Sequence, residues 1–142
     1  MENNKITVYC DGGSRGNPGP AAIGVYIPQL KKEYSKFLGN TTNNEAEYSA
    51  AIFALKKIKQ LIGNKKAEKI NIELISDSEF LIKQLNGEYK IKEKTLVPFF
   101  IEIWNLKQDY KEVKFIHAPR EENKEADILV NKELDIQESR LF

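Results

Sequence analysis

Residues 6–20 read Ile6-Thr-Val-Tyr-Cys10-Asp11-Gly-Gly-Ser-Arg-Gly-Asn-Pro-Gly-Pro20, an apolar run followed by an aspartate and then by glycines and prolines. The first five residues are β-branched, aromatic or small and apolar, a composition typical of a strand. The glycines and prolines that follow Asp11 predict that regular structure stops for about ten residues. We therefore place Asp11 where a first strand opens into a loop.

The hydrophobic pattern beyond this segment predicts two more strands and then helices alternating with strands. Residues 22–27 and 33–38 are β-rich runs joined by a short turn, so the first three strands should pair as an antiparallel meander. Apolar residues at helical spacing predict helices from 41–44 to 62, around 80–85, from 98 to 106 and over 125–134, with strands at 70–76 and 113–117. The predicted fold class is α/β: a mixed five-stranded sheet, three antiparallel strands and then two parallel ones, flanked by helices.

Length and composition indicate one domain over residues 1–142. No apolar run approaches the ~18 residues that a membrane span requires, and no charged and then apolar leader is present at the start. The single cysteine, Cys10, has no intrachain disulfide partner, which is typical of a reducing compartment. We expect a cytoplasmic monomer without membrane contact.

The net charge of +1 comes from 22 Lys and Arg against 21 Asp and Glu, so the chain as a whole is not a strongly basic nucleic-acid-binding domain. Any contact with a polyanion must be local. Lysines are grouped at Lys31-Lys32-Lys36, Lys56-Lys57-Lys59, Lys65-Lys66-Lys69 and Lys90-Lys92-Lys94. Each group is either a phosphate contact or an ordinary solvated surface.

Asp11 and Asp77 each follow an apolar strand run directly. If the two strands are parallel neighbours, both carboxylates emerge at the carboxyl edge of the sheet, where ligand sites of α/β sheets lie. The alternative for each residue alone is an aspartate that forms a turn after a strand. Two aspartates at the same edge favour a shared site.

The start of the first long helix contains two glutamates that its periodicity separates. Glu47 lies on the stripe that carries Ala51 and Leu55 and must face the sheet, where a buried acid requires a cation or hydrogen-bond donors. Glu45 lies on the more exposed side, where the helix dipole explains it. Asp127 resembles Glu47 in its place on the last helix, although a surface pair with a lysine would also explain it.

Four segments resemble, in order, the successive signatures of the ribonuclease HI family: Asp11-Gly-Gly-Ser-Arg-Gly-Asn-Pro-Gly-Pro20, Thr42-Asn-Asn-Glu-Ala-Glu47, Ser76-Asp77-Ser78 and Asn123-Lys-Glu-Ala-Asp127. The resemblance implies the ribonuclease H-like fold and an endoribonuclease that hydrolyses the RNA strand of RNA–DNA hybrids. It places the catalytic and metal-binding acids at Asp11, Glu47, Asp77 and Asp127. A catalytically weak hybrid-binding module, and a nuclease of the same fold with a different duplex preference, are the alternatives.

Four crowded carboxylates repel one another unless hard cations neutralise them, and ligand sets made only of oxygen favour Mg²⁺, with Mn²⁺ as a substitute. In a two-metal site the ions lie roughly 3.5–4 Å apart, activate the attacking water and stabilise the leaving 3′ oxygen. The resemblance implies products with 5′-phosphate and 3′-hydroxyl ends.

The resemblance also assigns hybrid recognition to Asn17, Asn43 and Asn44, with Thr42 beside them. Amide side chains can bond a ribose 2′-OH, the group that distinguishes RNA from DNA. Asn43 or Asn44 could instead be only a helix cap, and Asn17 only a turn residue.

Two residues compete for an assisting role in the loop before Asp127. His117, the single histidine, stands where the family can place a proton-shuttling histidine, and Arg120 is the alternative because some relatives use an arginine in this loop. The connector over residues 86–95 is too short for the extra basic helix and loop with which some members grip the hybrid. Lys90, Lys92 and Lys94 could partly compensate.

Overall fold

A single five-stranded sheet forms the centre of the computed structural model, which describes residues 4–140. Its strands are β1 (Lys5–Ser14), β2 (Gly19–Ile27), β3 (Lys32–Thr41), β4 (Asn71–Ser76) and β5 (Glu112–His117). The spatial order is β3-β2-β1-β4-β5, with antiparallel pairing between the first three strands and parallel pairing of β1 with β4 and β4 with β5. The predicted mixed sheet is confirmed. Residues 1–3 and 141–142 of the predicted domain lie outside the described residues.

Among the described residues, five α-helices flank the sheet: α1 (Asn43–Ile62), α2 (Asn64–Ala67), α3 (Glu79–Leu85), α4 (Val97–Lys107) and α5 (Lys124–Ser139). The short α2 was not predicted, because Gly63 and Asn64 were interpreted as a helix end. The predicted end of α5 at Leu134 is also wrong. The helix continues to Ser139, since no glycine or proline interrupts it and Gln137 bonds Glu133 one turn earlier at 2.8 Å. Within residues 4–140, no helix has both the length and the apolar character needed to cross a membrane.

The position of Asp11 corrects the sequence prediction. Asp11 lies inside β1, because pairing with β2 continues past it to Ser14, and only residues 15–18 connect the two strands. Gly12 is required for close packing, not for a turn: a Cβ at Gly12 would lie 2.1 Å from the carbonyl oxygen of Ala46 in α1. The sequence pattern did not distinguish a packing glycine from a turn glycine.

The two helices that border the site pack on opposite faces of the sheet. Asp11 pairs with Gly24 and Gly12 with Ile23, so strand alternation places Asp11 and Gly24 on one face and Gly12 on the other. α1 packs against Gly12. α5 packs against Gly24, where a Cβ would lie 2.2 Å from the carbonyl oxygen of Ala126. Both helix starts are thereby brought to the end of β1 that carries Asp11.

The larger core lies between the sheet and α1. Its fully buried side chains include Val8, Cys10, Val25, Tyr48, Leu55, Ile72 and Leu74. A smaller core, formed by Ala22, Val130 and Leu134, lies under α5. The sheet is therefore covered on both faces, and the acids lie at its edge between the two cores.

Candidate active site

Three acidic side chains, Asp11, Glu47 and Asp77, converge at the carboxyl edge of β1 and β4. One oxygen from each of them lies within 4.8 Å of the others. The parallel register that pairs Tyr9 with Ile75 places Asp11 opposite Asp77 when it is continued by two residues. Asp11 and Glu47 are each only 7% exposed, and Asp77 is partly buried. We call this group the inner acids.

Glu47 is fixed on the inner side of α1 by the backbone of β1. The Gly12 N–H donates to Glu47 Oε1 at 2.7 Å, across the close contact that the glycine permits. The first turn is capped by Thr42, whose Oγ1 accepts from the Glu45 N–H and lies 3.2 Å from Glu45 Oε2. Glu45 is thus used by the cap, and the predicted inward orientation of Glu47 is confirmed.

Burial is the main cause of the raised pKa values of the inner acids. Burial, together with the charges of Asp77 and Asp127, raises the pKa of Asp11 to about 7. Burial and the neighbouring Asp11 raise the pKa of Glu47 well above its ordinary value. The pKa of Asp77 is raised by burial, against the opposing charge of Arg120. Such a group retains protons unless a cation binds it, and its oxygen donors suit a hard divalent cation.

Asp127 lies beside the inner acids, in the first turn of α5. Its charge and a hydrogen bond between the carboxyls contribute to the raised pKa of Asp11. Arg120 Nη2 lies 3.3 Å from Asp127 Oδ1, and the Arg120 side chain is 73% exposed. The predicted lysine alternative is thus replaced by an arginine pair. All four acids line one cavity of about 280 Å³, together with Arg120 and Asn43.

His117 is also close to this edge. It ends β5, where it pairs in register with Ser76, the residue before Asp77, and its side chain is exposed. We call Asp127, Arg120 and His117 the rim. The structure therefore brings both candidates for the assisting role near the acids.

The candidate recognition residues lie on the α1 side of the cavity. Asn17 Oδ1 accepts from the Asn43 N–H at 2.9 Å, and Asn43 Oδ1 accepts from the Ser14 N–H at 3.3 Å, which ties the β1–β2 connection to the start of α1. Asn44 Nδ2 donates to Glu93 Oε1 at 2.8 Å. Thr42 is the N-cap, so neither Asn43 nor Asn44 has that role.

Sequence reasoning missed three polar residues around the site: Asn123, Asn131 and Arg15. Asn123 is fully buried and donates through Nδ2 to the carbonyl oxygen of Cys10 at 3.0 Å, joining the start of α5 to β1 beside Asp11. Asn131 contacts Asp127, and Arg15 contacts Asn131. The only sequence signal was the position of Asn123 and Arg15 within the matched segments, because their partners are more than a hundred residues away.

Comparison with known proteins agrees with this geometry. A family model described as "Reverse transcriptase-like" matches residues 10–133. The chain belongs to this family. Within the reverse transcriptase-like family, its relatives include Ribonuclease HI of Halobacterium salinarum, which is 34% identical over 135 residues, 92% of this chain and 65% of that protein.

Solved ribonuclease H structures superpose closely on this reverse transcriptase-like chain. LC11-RNase H1 in complex with an RNA/DNA hybrid has a TM-score of 0.83 and 44% identity, covering 89% of this chain and 94% of that one. The N-terminal RNase H domain of a bifunctional protein of Mycobacterium tuberculosis has a TM-score of 0.86 and 28% identity, covering 99% and 100%. The predicted family resemblance and the ribonuclease H-like fold are confirmed. The chain spans only 36% of the whole mycobacterial protein.

Proposed function

We propose that the chain is a metal-dependent endoribonuclease that hydrolyses the RNA strand of RNA–DNA hybrids, with residues 1–142 as one ribonuclease H domain. The observation that carries the proposal is the convergence of Asp11, Glu47 and Asp77 within 4.8 Å. A relative of 44% identity that was solved with an RNA/DNA hybrid supports the choice of substrate.

The acids fit a divalent metal centre because every donor is a carboxylate oxygen and because bound positive charge would offset the raised pKa values of Asp11 and Glu47. Asp11, Glu47, Asp77 and Asp127 would hold Mg²⁺, or Mn²⁺ as a substitute, with two ions bound when substrate is present. Bound ions supply Lewis-acid activation of water and stabilise charge on the leaving 3′ oxygen. The proposed products carry 5′-phosphate and 3′-hydroxyl ends.

The surrounding residues orient these ligands and exchange protons. The Gly12 N–H donates to one oxygen of Glu47 and so fixes the orientation of this carboxylate. Arg120 holds Asp127 through Oδ1. His117 or Arg120, both exposed at the rim, assists the departure of product, the histidine by carrying a proton and the arginine by its charge on phosphate.

Recognition of the RNA strand is proposed for Asn17, Thr42, Asn43 and Asn44. Because Asn44 donates through Nδ2 to Glu93, its Oδ1 is the atom that remains to accept a hydrogen bond from a ribose 2′-OH. Lys90, Lys92 and Lys94 are exposed on the same connector as Glu93, and we propose that they contact phosphates.

A cleavage assay tests the proposal directly. RNA–DNA, RNA–RNA, DNA–DNA and single-stranded RNA are each incubated with Mg²⁺, Mn²⁺ or EDTA, and Asp77→Asn is the matched control of nearly equal volume. The expected result is metal-dependent cleavage of the RNA strand of the hybrid alone, absent from Asp77→Asn. Hybrid binding without cleavage would identify a catalytically weak binding module. Faster cleavage of another duplex would indicate a different preference, and either outcome would contradict the proposal.

A further inference from the structure

One stripe of α5 carries four polar side chains at intervals of one helical turn: Asp127, Asn131, Asp135 and Glu138. Arg15, from the β1–β2 connection, lies along this stripe. Its Nη1 is 2.7 Å from Glu138 Oε1, and its Nη2 is 2.8 Å from Asp135 Oδ1 and 3.2 Å from Asn131 Oδ1. A residue near the cavity is thus joined to the full length of the helix that carries Asp127.

Asn131 is the link between Arg15 and Asp127. Its Oδ1 accepts from Arg15, so its amide nitrogen faces the opposite way and donates to Asp127. Nδ2 lies 3.0 Å from the Asp127 carbonyl oxygen and 3.4 Å from Asp127 Oδ1. The contact with Arg15 therefore orients the Asn131 amide so that its nitrogen, and not its oxygen, faces Asp127.

The Asp127 carboxylate lies beside the inner acids in the same cavity, and two side-chain donors contact it. Asn131 Nδ2 and Arg120 Nη2 both contact Oδ1, from within α5 and from the loop before it. The Arg120 side chain is 73% exposed, whereas the Arg15 side chain that supports Asn131 is only 33% exposed. Asn131 is therefore the more firmly held of the two donors to Asp127.

Stability does not account for the Arg15 contacts. The side chains of Asp135 and Glu138 are 69% and 53% exposed, and ion pairs at such exposure contribute little to the free energy of unfolding. The contact that leads into the site is the one through Asn131.

We propose that Asn131 is a positioning residue for Asp127, and that Arg15 acts on Asp127 through Asn131 by fixing its amide. The inference builds on the proposed nuclease function, in which Asp127 is a metal ligand. The Arg15–Asn131–Asp127 bridge then holds the one acid outside the inner group in a single rotamer before cations bind. It also joins Asp127 to the β1–β2 connection, which carries the candidate recognition residue Asn17. One set of side-chain contacts thus positions both a proposed metal ligand and a proposed recognition segment.

The test compares Asn131→Ala, Arg15→Ala and the double variant by steady-state kinetics on an RNA–DNA hybrid. Asn131→Ala should lower kcat by about 10-fold to 100-fold, with KM within about 2-fold, as expected for removal of a group that orients a metal ligand. Arg15→Ala should have a smaller effect in the same direction, and the double variant should match Asn131→Ala because both act on one path. The kcat of Arg15→Lys should fall between those of wild type and Arg15→Ala, since lysine keeps the charge but lacks the several N–H donors of the planar guanidinium group.

A readout that does not depend on activity is the Asp127 rotamer in a crystal structure of Asn131→Ala. The expected result is a changed or disordered side chain. An unchanged rotamer would overturn the proposal. It would also be overturned if the losses of kcat in the two single variants multiplied in the double variant, or if only KM rose. Arg140→Ala, at the exposed far end of α5, is the control and should retain wild-type kinetics.

Two further arms keep the outcome decisive. If Asn131→Ala fails to fold, Asn131→Asp has nearly the same volume and replaces the donor with an oxygen that repels Asp127, so the same expectations apply. If wild type cleaves no substrate, the proposed function fails, and the rotamer in the variant still decides the bridge.

Discussion

The inner acids and the rim are held in different ways. Asp11 and Glu47 are buried and supported by the backbone of β1 and α1, through the Gly12 N–H and the close contact with Ala46. The Asp127 carboxylate is instead contacted by the side chains of Arg120 and Asn131, and Arg120 and His117 are exposed. The geometry of the inner acids therefore depends on the backbone of the fold. The geometry of the rim depends on single side chains and can be changed by single substitutions.

The largest expected effect separates Asp11→Asn from Asp127→Asn. Asp11 lies at the centre of the inner acids, so losing its charge should lower Mg²⁺-dependent cleavage on the order of 10³-fold or more. Asp127 lies at the rim, and Asp127→Asn should cost about 10-fold to 100-fold. Single-turnover rates on an RNA–DNA hybrid measure both. Equal losses would remove the distinction between the two halves of the site.

Burial of the inner acids also predicts how stability depends on pH. The Asp11 carboxyl has a pKa of about 7 in the folded chain and 3.8 as its ordinary value, so between these values the folded state holds more protons than the unfolded state. Without metal, the contribution of Asp11 to the free energy of unfolding should be greatest below about pH 4 and should fall as pH rises through about 7, by on the order of 4 kcal/mol.

Urea denaturation in EDTA at a series of pH values measures this slope. Asp11→Asn is the control and should flatten the curve, because the amide has no proton to lose. Added Mg²⁺ should restore stability at high pH by binding only the folded state. Stability that rises from pH 5 to pH 8 in EDTA would contradict the burial argument.

A third comparison uses glycine to separate packing from backbone conformation. A Cβ at Gly12 would lie 2.1 Å from the Ala46 carbonyl oxygen, so Gly12→Ala must push α1 from the sheet and should cost about 3 kcal/mol. Gly39 has a positive φ of 79° but nothing within 4 Å, and Gly39→Ala should cost about 1 kcal/mol from the strained backbone alone. Chemical denaturation compares the two, and equal costs would mean that α1 yields easily.

Periodicity and strand order predicted the positions of the inner acids, and the family resemblance named the rim residues. The side-chain contacts that hold Asp127 could not be predicted. Helical periodicity separated Glu47 from Glu45, and the strand order placed Asp11 beside Asp77. The same local rules failed at Gly12, because a glycine that admits a helix resembles one that forms a turn until both elements are in place. They also gave no sign of the bridge from Arg15 to Asn131, since that contact joins residues 116 positions apart.

The smallest expected effect distinguishes the two exposed candidates at the rim. If the arginine assists, Arg120→Ala should lower kcat by about 10-fold, because its contact with Asp127 Oδ1 and a charge opposing the acids are both lost. If the histidine carries the proton, His117→Ala should instead change the shape of the pH profile of kcat, which Arg120→Ala should leave unchanged. Measuring kcat against pH for both variants separates these outcomes. A loss confined to Arg120→Ala, with the wild-type pH profile retained in His117→Ala, would give the rim an electrostatic role and no part in proton transfer.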